Sequence, residues 1–129
     1  MYEEFYGFSA RPFGKTPDPS FLYESRQHAE AIARLELAVE ERELALLTGE
    51  IGAGKTMLSR ALIDRLGEDY LPILLVNPRL TPGQLLKAVA QRLGIEKIPR
   101  ARSELYEMIS DKLFELYEQD TGVVLLIDE

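Results

Sequence analysis

Gly49-Glu50-Ile51-Gly52-Ala53-Gly54-Lys55-Thr56 is the most informative run in the sequence. It fits G-x-x-x-x-G-K-[ST], the spacing of a phosphate-binding (Walker A) loop. Its glycines let the backbone turn tightly and aim N–H groups inward at a phosphate chain. Lys55 would bring a mobile positive charge to the β- and γ-phosphates, and the Thr56 hydroxyl would ligate Mg²⁺. A helix beginning near Lys55, with Met57 in its first turn, points its partly positive end at the same anion.

The flanks supply the context that this loop requires. Leu44-Ala45-Leu46-Leu47-Thr48 is a short apolar run and reads as a buried strand. After the loop, Leu58, Ala61, Leu62 and Leu66 recur at helical spacing, and Gly67 is a stop signal. Strand, glycine loop and helix are thus predicted in the order the chemistry needs.

A second motif closes the sequence. Val123-Val124-Leu125-Leu126-Ile127 is an apolar run followed by Asp128-Glu129, as in a Walker B strand. Asp128 would hold Mg²⁺ through water opposite Thr56. Glu129 would polarise an attacking water as general base. In open α/β sheets the ligand lies at the carboxyl ends of the strands, where both motifs fall. Glu129 favours hydrolysis by water over transfer to a bound acceptor, which argues against a phosphoryl-transfer kinase.

Between the motifs, Leu71–Val76 reads as a second strand, apolar on both faces and ending at Asn77-Pro78, as suits a parallel strand covered by helices. Thr81-Pro82-Gly83-Gln84 is a helix start, with a capping Thr, Pro at the first position and Gln three residues on. That helix runs through Leu85, Leu86, Val89 and Leu93 to Gly94. Ile95–Arg102 reads as a loop. Ser103 opens a further helix with Leu105, Ile109, Leu113 and Leu116 on one side and Gly122 beyond its end. The predicted class is α/β: a three-layer α/β/α P-loop NTPase with a parallel sheet.

Residues 1–24 read as an aromatic, proline-rich arm packed on the core, and 25–129 as the ATPase part. The arm holds Tyr2, Phe5, Tyr6, Phe8 and Phe13 with Pro12, Pro17 and Pro19. Prolines and glycines exclude a long helix there. Surface packing is favoured over a role for Phe13, Pro17, Phe21 and Leu22 as an adenine wall. Ser25–Glu43 reads as a helix capped by Ser25, with Ile32, Leu35 and Val39 on one face and Glu30, Arg34, Glu40 and Glu41 toward water. His28, the single histidine, reads as a packing or capping residue.

Bulk composition narrows the function classes. The 129 residues suffice for one domain with a real core. A net charge of −7 argues against binding nucleic acid over the whole surface, and the basic residues Arg92, Lys97, Arg100 and Arg102 read as a solvated helix end and loop. The absence of cysteine excludes disulfides, zinc thiolates and a cysteine nucleophile. No apolar run is long enough to span a bilayer. The acidic, aromatic start is no secretory signal.

Together these residues resemble an AAA+ ATPase. Phe5-Tyr6-Gly7-Phe8, Arg11-Pro12-Phe13, Thr16-Pro17-Asp18-Pro19 with Phe21-Leu22-Tyr23, and then Ser25, His28, Ala29 and Ala31, are similar to the start of the ExeA/GspA-type ATPases of the general (type II) secretion pathway. A related ATPase of mannose-sensitive pilus biogenesis starts similarly. The resemblance implies ATP as ligand, Mg²⁺ as cofactor and hydrolysis coupled to assembly of a secretion or pilus machine. Its partners would be further copies of the chain and assembly proteins at the bacterial inner membrane, with the ATPase part in the cytoplasm. It also implies a sheet with further strands, a sensor residue, an arginine finger and a helical lid after Glu129. On that pattern the chain reads as truncated after the Walker B strand, binding nucleotide but hydrolysing it poorly and prone to associate through exposed strand edges. A DNA-linked AAA+ ATPase of the transposition or initiator type is the rival reading, and a scaffold using ATP as a structural ligand is another.

Overall fold

The computed structural model describes residues 2–16, 18–76 and 78–129. Pro17, placed above in the arm, and Asn77, placed above at a strand end, lie outside the described residues, as does Met1. The chain forms two compact units, residues 1–65 and 66–129.

The first unit holds a short helix α1 (Tyr2–Tyr6), a 3₁₀ turn (Pro19–Phe21), α2 (Arg26–Glu41) and α3 (Lys55–Arg65). The arm is irregular apart from α1 and the turn. The Phe5 and Tyr6 rings meet edge to face, with centroids 4.9 Å apart, and Tyr6 stacks on Phe8 at 5.8 Å. These rings are exposed, as is Phe13, while the 3₁₀ turn lies against α3 and Leu22 packs on the core of this unit. Asp18 caps the 3₁₀ turn, accepting from the Ser20 N–H at 2.9 Å and its hydroxyl at 2.8 Å. Those two bonds hold the Asp18 carboxyl below its ordinary value.

α2 starts where its cap dictates, the Ser25 hydroxyl accepting from the His28 N–H. It ends at Arg42, whose left-handed backbone (φ 58°) closes the last turn onto the Ala38 and Val39 carbonyls. Ile32 on α2 packs with Leu58 and Ala61 on α3, and Leu22, Ala31 and Leu47 flank them. Arg65 draws the unit together at one end, bonding Glu24 at 2.8 Å and Glu36 at 3.3 Å.

Leu44–Thr48 departs from the sequence expectation of a buried strand. No ladder is assigned to it among the described residues; Leu44 is 103% and Leu46 88% exposed, and only Leu47 turns inward. A strand exists through its neighbour's hydrogen bonds. An apolar run that no neighbour pairs with is not a strand, whatever its composition.

The second unit has the order β1 (Tyr70–Val76), α4 (Pro82–Arg92), α5 (Arg102–Glu118), β2 (Gly122–Asp128). β1 and β2 pair in parallel, in register from Tyr70↔Gly122 to Val76↔Asp128. Parallel neighbours need a long crossover, which α4 and α5 provide. Ile73 and Leu75 are buried among Ala90 of α4, Leu93 at its C-cap, and Leu105 and Ile109 of α5. The Thr81 capping box is present: the Thr81 N–H donates to the Gln84 side-chain oxygen at 3.0 Å, and the Gln84 N–H donates to the Thr81 hydroxyl at 3.3 Å. α5 begins one residue earlier than the sequence suggests. Its cap is Ala101, which makes no side-chain bond, and Ser103 falls inside the first turn. Leu113 also lies further out than its spacing suggests, at 39% exposed.

Candidate phosphate-binding site

The loop that precedes α3 is built around two glycines with left-handed backbone, Gly52 at φ +85° and Gly54 at φ +96°. Side-chain-bearing residues adopt such angles only at a cost. Between them the Ala53 N–H closes a tight turn onto the Glu50 carbonyl at 3.0 Å. The Leu58 N–H then bonds the Gly54 carbonyl at 2.9 Å, which opens the helix immediately after the loop. The N-terminal end of α3 carries the partly positive end of the helix dipole, which favours an anion there.

Lys55 folds back over the loop. Its ammonium donates to the Gly49 carbonyl at 2.7 Å and to the Glu50 carbonyl at 2.9 Å. The close neighbour of Gly49 is Ala53: a Cβ on the glycine would stand 3.3 Å from the Ala53 Cβ, and in ordinary contact with the lysine stem at 3.8 Å. Two of the three ammonium donors are thus used to hold the charge at the loop, and such charge-assisted bonds are the strong ones. Ile51 at the tip is exposed, while Lys55, Thr56 and Met57 are half-buried.

His28, expected as a packing or capping residue, stands in the Ser25 cap and also reaches the loop. Its Nε2 lies 2.8 Å from the Ala53 carbonyl and its Nδ1 2.8 Å from the Ser25 hydroxyl. A carbonyl only accepts, so Nε2 carries a proton, and in the neutral ring Nδ1 accepts from Ser25. The Ser-x-x-His spacing at the start of α2 was visible in the sequence; the contact across 25 residues was not.

The other predicted residues, Asp128 and Glu129, are adjacent at the carboxyl end of β2 in the second unit. Asp128 is half-buried; Glu129 is exposed with left-handed backbone, φ 72°. Thr56 stands in the first turn of α3 in the first unit, and Asp128 closes β2 in the second; each carries an oxygen donor of the hard kind that Mg²⁺ takes, and Mg²⁺ keeps several waters besides. A dense protein cage is not needed for it, and none with three or more His, Cys, Asp or Glu exists among the described residues. A depression of about 400 Å³ lies elsewhere, lined by Asp18, Glu24, Asp64 and Arg65 among others. It sits toward the carboxyl end of α3, roughly 15 Å of helix from Lys55 at 1.5 Å per residue, and is not the phosphate loop.

A glycine loop leading into a helix, and a parallel α/β sheet, define the P-loop NTPase class. The profile of the AAA domain family matches residues 38–129, and the chain belongs to that family. It is also similar to "General secretion pathway protein A" of Aeromonas hydrophila, with 35% identity over 131 residues that cover 100% of this chain. The chain spans 24% of that relative's length. No solved structure matches it. No helix among the described residues is long and apolar enough to cross a membrane.

Proposed function

We propose that the chain binds ATP through Gly49–Thr56 and Met57, and that Mg²⁺-dependent hydrolysis drives assembly of a bacterial secretion or pilus apparatus. The observation that carries the nucleotide reading is the phosphate loop itself: two left-handed glycines, a helix starting at once behind them, and the Lys55 ammonium held over the loop. A phosphate chain entering the loop would compete with the Gly49 and Glu50 carbonyls for that ammonium and offer it a full negative charge instead. Mg²⁺, when bound, neutralises charge on the β- and γ-phosphate oxygens; Thr56 and Asp128 would hold it. Glu129 would orient an attacking water and take its proton.

The link to secretion rests on the similarity to the Aeromonas protein. On this reading the partners are other copies of the chain and assembly proteins at the inner membrane, and the nucleotide site works on the cytoplasmic side.

Equilibrium titration of a fluorescent ATP analogue into the purified protein, with and without Mg²⁺, tests the nucleotide part. Saturable binding displaced by ATP and ADP but not by adenosine is expected, because the loop reads phosphates. Displacement by adenosine as strong as by ATP would overturn the assignment.

A further inference from the structure

We propose that His28 is a positioning residue for the phosphate loop, fixing the Ala53–Gly54 peptide so that the Gly54 N–H faces the phosphate chain. The inference rests on the nucleotide reading above and adds to it a residue from a different element.

A peptide unit is planar and trans, so its C=O and N–H point in opposite directions. Turning a peptide over changes ψ of the residue before it and φ of the residue after it. At Ala53–Gly54 the second angle belongs to a glycine, which accepts either sign of φ at little cost. A loop made of glycines therefore has no strong internal preference for which way this peptide faces. The preference has to come from outside. His28 supplies it: Nε2–H donates to the Ala53 carbonyl at 2.8 Å, which turns the carbonyl toward α2 and the Gly54 N–H away from it. In that state Gly54 has φ +96°.

The donor is itself held. His28 is the third residue of α2, and its backbone N–H is capped by the Ser25 hydroxyl at 3.2 Å. The same hydroxyl meets Nδ1 at 2.8 Å, so the ring cannot rotate without losing both side-chain bonds. Ser25, His28 and Ala53 form one chain of hydrogen bonds from the start of α2 to the loop. The approach is close: a Cβ on Gly54 would lie 3.4 Å from Nε2. An N–H already aimed at the anion does not have to be ordered on binding, and that saving appears as affinity.

The test compares wild type, His28→Ala and His28→Gln, with MgATP titrated calorimetrically and the Gly54 amide followed by NMR. Gln keeps an N–H donor at about the distance of Nε2; Ala keeps the Ser25 cap on the helix but removes the donor. Weakening of about tenfold is expected for His28→Ala, the scale of one ordinary hydrogen bond, with recovery to within about threefold in His28→Gln. The Gly54 amide proton should move downfield on adding MgATP in wild type and His28→Gln and much less in His28→Ala. A merely structural histidine would lower the melting temperature without this selective loss at one amide. Equal affinity in wild type and a folded His28→Ala overturns the inference and leaves the nucleotide reading standing. No binding by wild type overturns both. Should His28→Ala fail to fold, His28→Gln decides: wild-type affinity and amide shift support the inference, and a folded variant lacking them overturns it.

Discussion

Gly122 and Tyr70 face one another at the start of the paired strands, and the geometry leaves no room for a side chain at Gly122. A Cβ there would fall 2.7 Å from two ring carbons of Tyr70. Gly122→Ala should therefore cost about 1–3 kcal/mol, the usual range for overpacking, read as a lower urea midpoint with unchanged slope. A variant as stable as wild type would mean that the ring swings aside freely. At this scale the sequence was informative where chemistry is carried by spacing. Gly52, Gly54 and Lys55 announce a loop because few other functions need them in that order. Gly122 was legible only as a residue beyond a helix end. Its close approach to a ring 52 positions earlier depends on strand register, which local pattern does not encode. His28 was hidden for the same reason: its cap is local, and its second partner is on another element.

The two helices that cross over in the second unit start in contrasting ways. α4 has a complete capping box at Thr81 and Gln84. α5 begins behind Ala101, whose extended backbone (φ −75°, ψ 126°) suits a cap but whose side chain cannot accept a bond. Glu104 already stands three residues on. Ala101→Ser would complete a second capping box, and a gain of about 1 kcal/mol in unfolding free energy is expected. No gain, or a loss, would show that the first turn of α5 is satisfied by other means. The sequence misplaced this start because Ser103 is a good cap by type, whereas the cap position is Ala101 and the helix begins at Arg102, one residue before the serine. The strands show the other limit. Tyr70–Val76 and Gly122–Asp128 were legible as apolar runs and are paired. Leu44–Thr48 looks the same in composition and is not assigned to a ladder, because pairing belongs to two segments and composition to one.

Over the whole molecule, the second unit's sheet has two strands among the described residues, so each has one edge with no strand beside it within that unit. On β2, Leu125 is 45% and Ile127 54% exposed, although their partners Ile73 and Leu75 are buried under α4 and α5. An edge with exposed apolar side chains invites pairing with another chain. Sedimentation equilibrium should show association that grows with protein concentration, reduced by Ile127→Lys. A single monomer mass across a hundredfold concentration range would contradict this.

On the proposed function, the loop before α3 binds the phosphates of ATP and Lys55 is the charge that holds them. Calorimetric titration of MgATP into the wild-type protein and into Lys55→Ala is the decisive measurement. Saturable one-to-one binding is expected for wild type. For a folded Lys55→Ala it should weaken by at least about tenfold, in line with the loss of a hydrogen bond to a charged group. Equal binding by the two proteins, or none by a folded wild type, would contradict it.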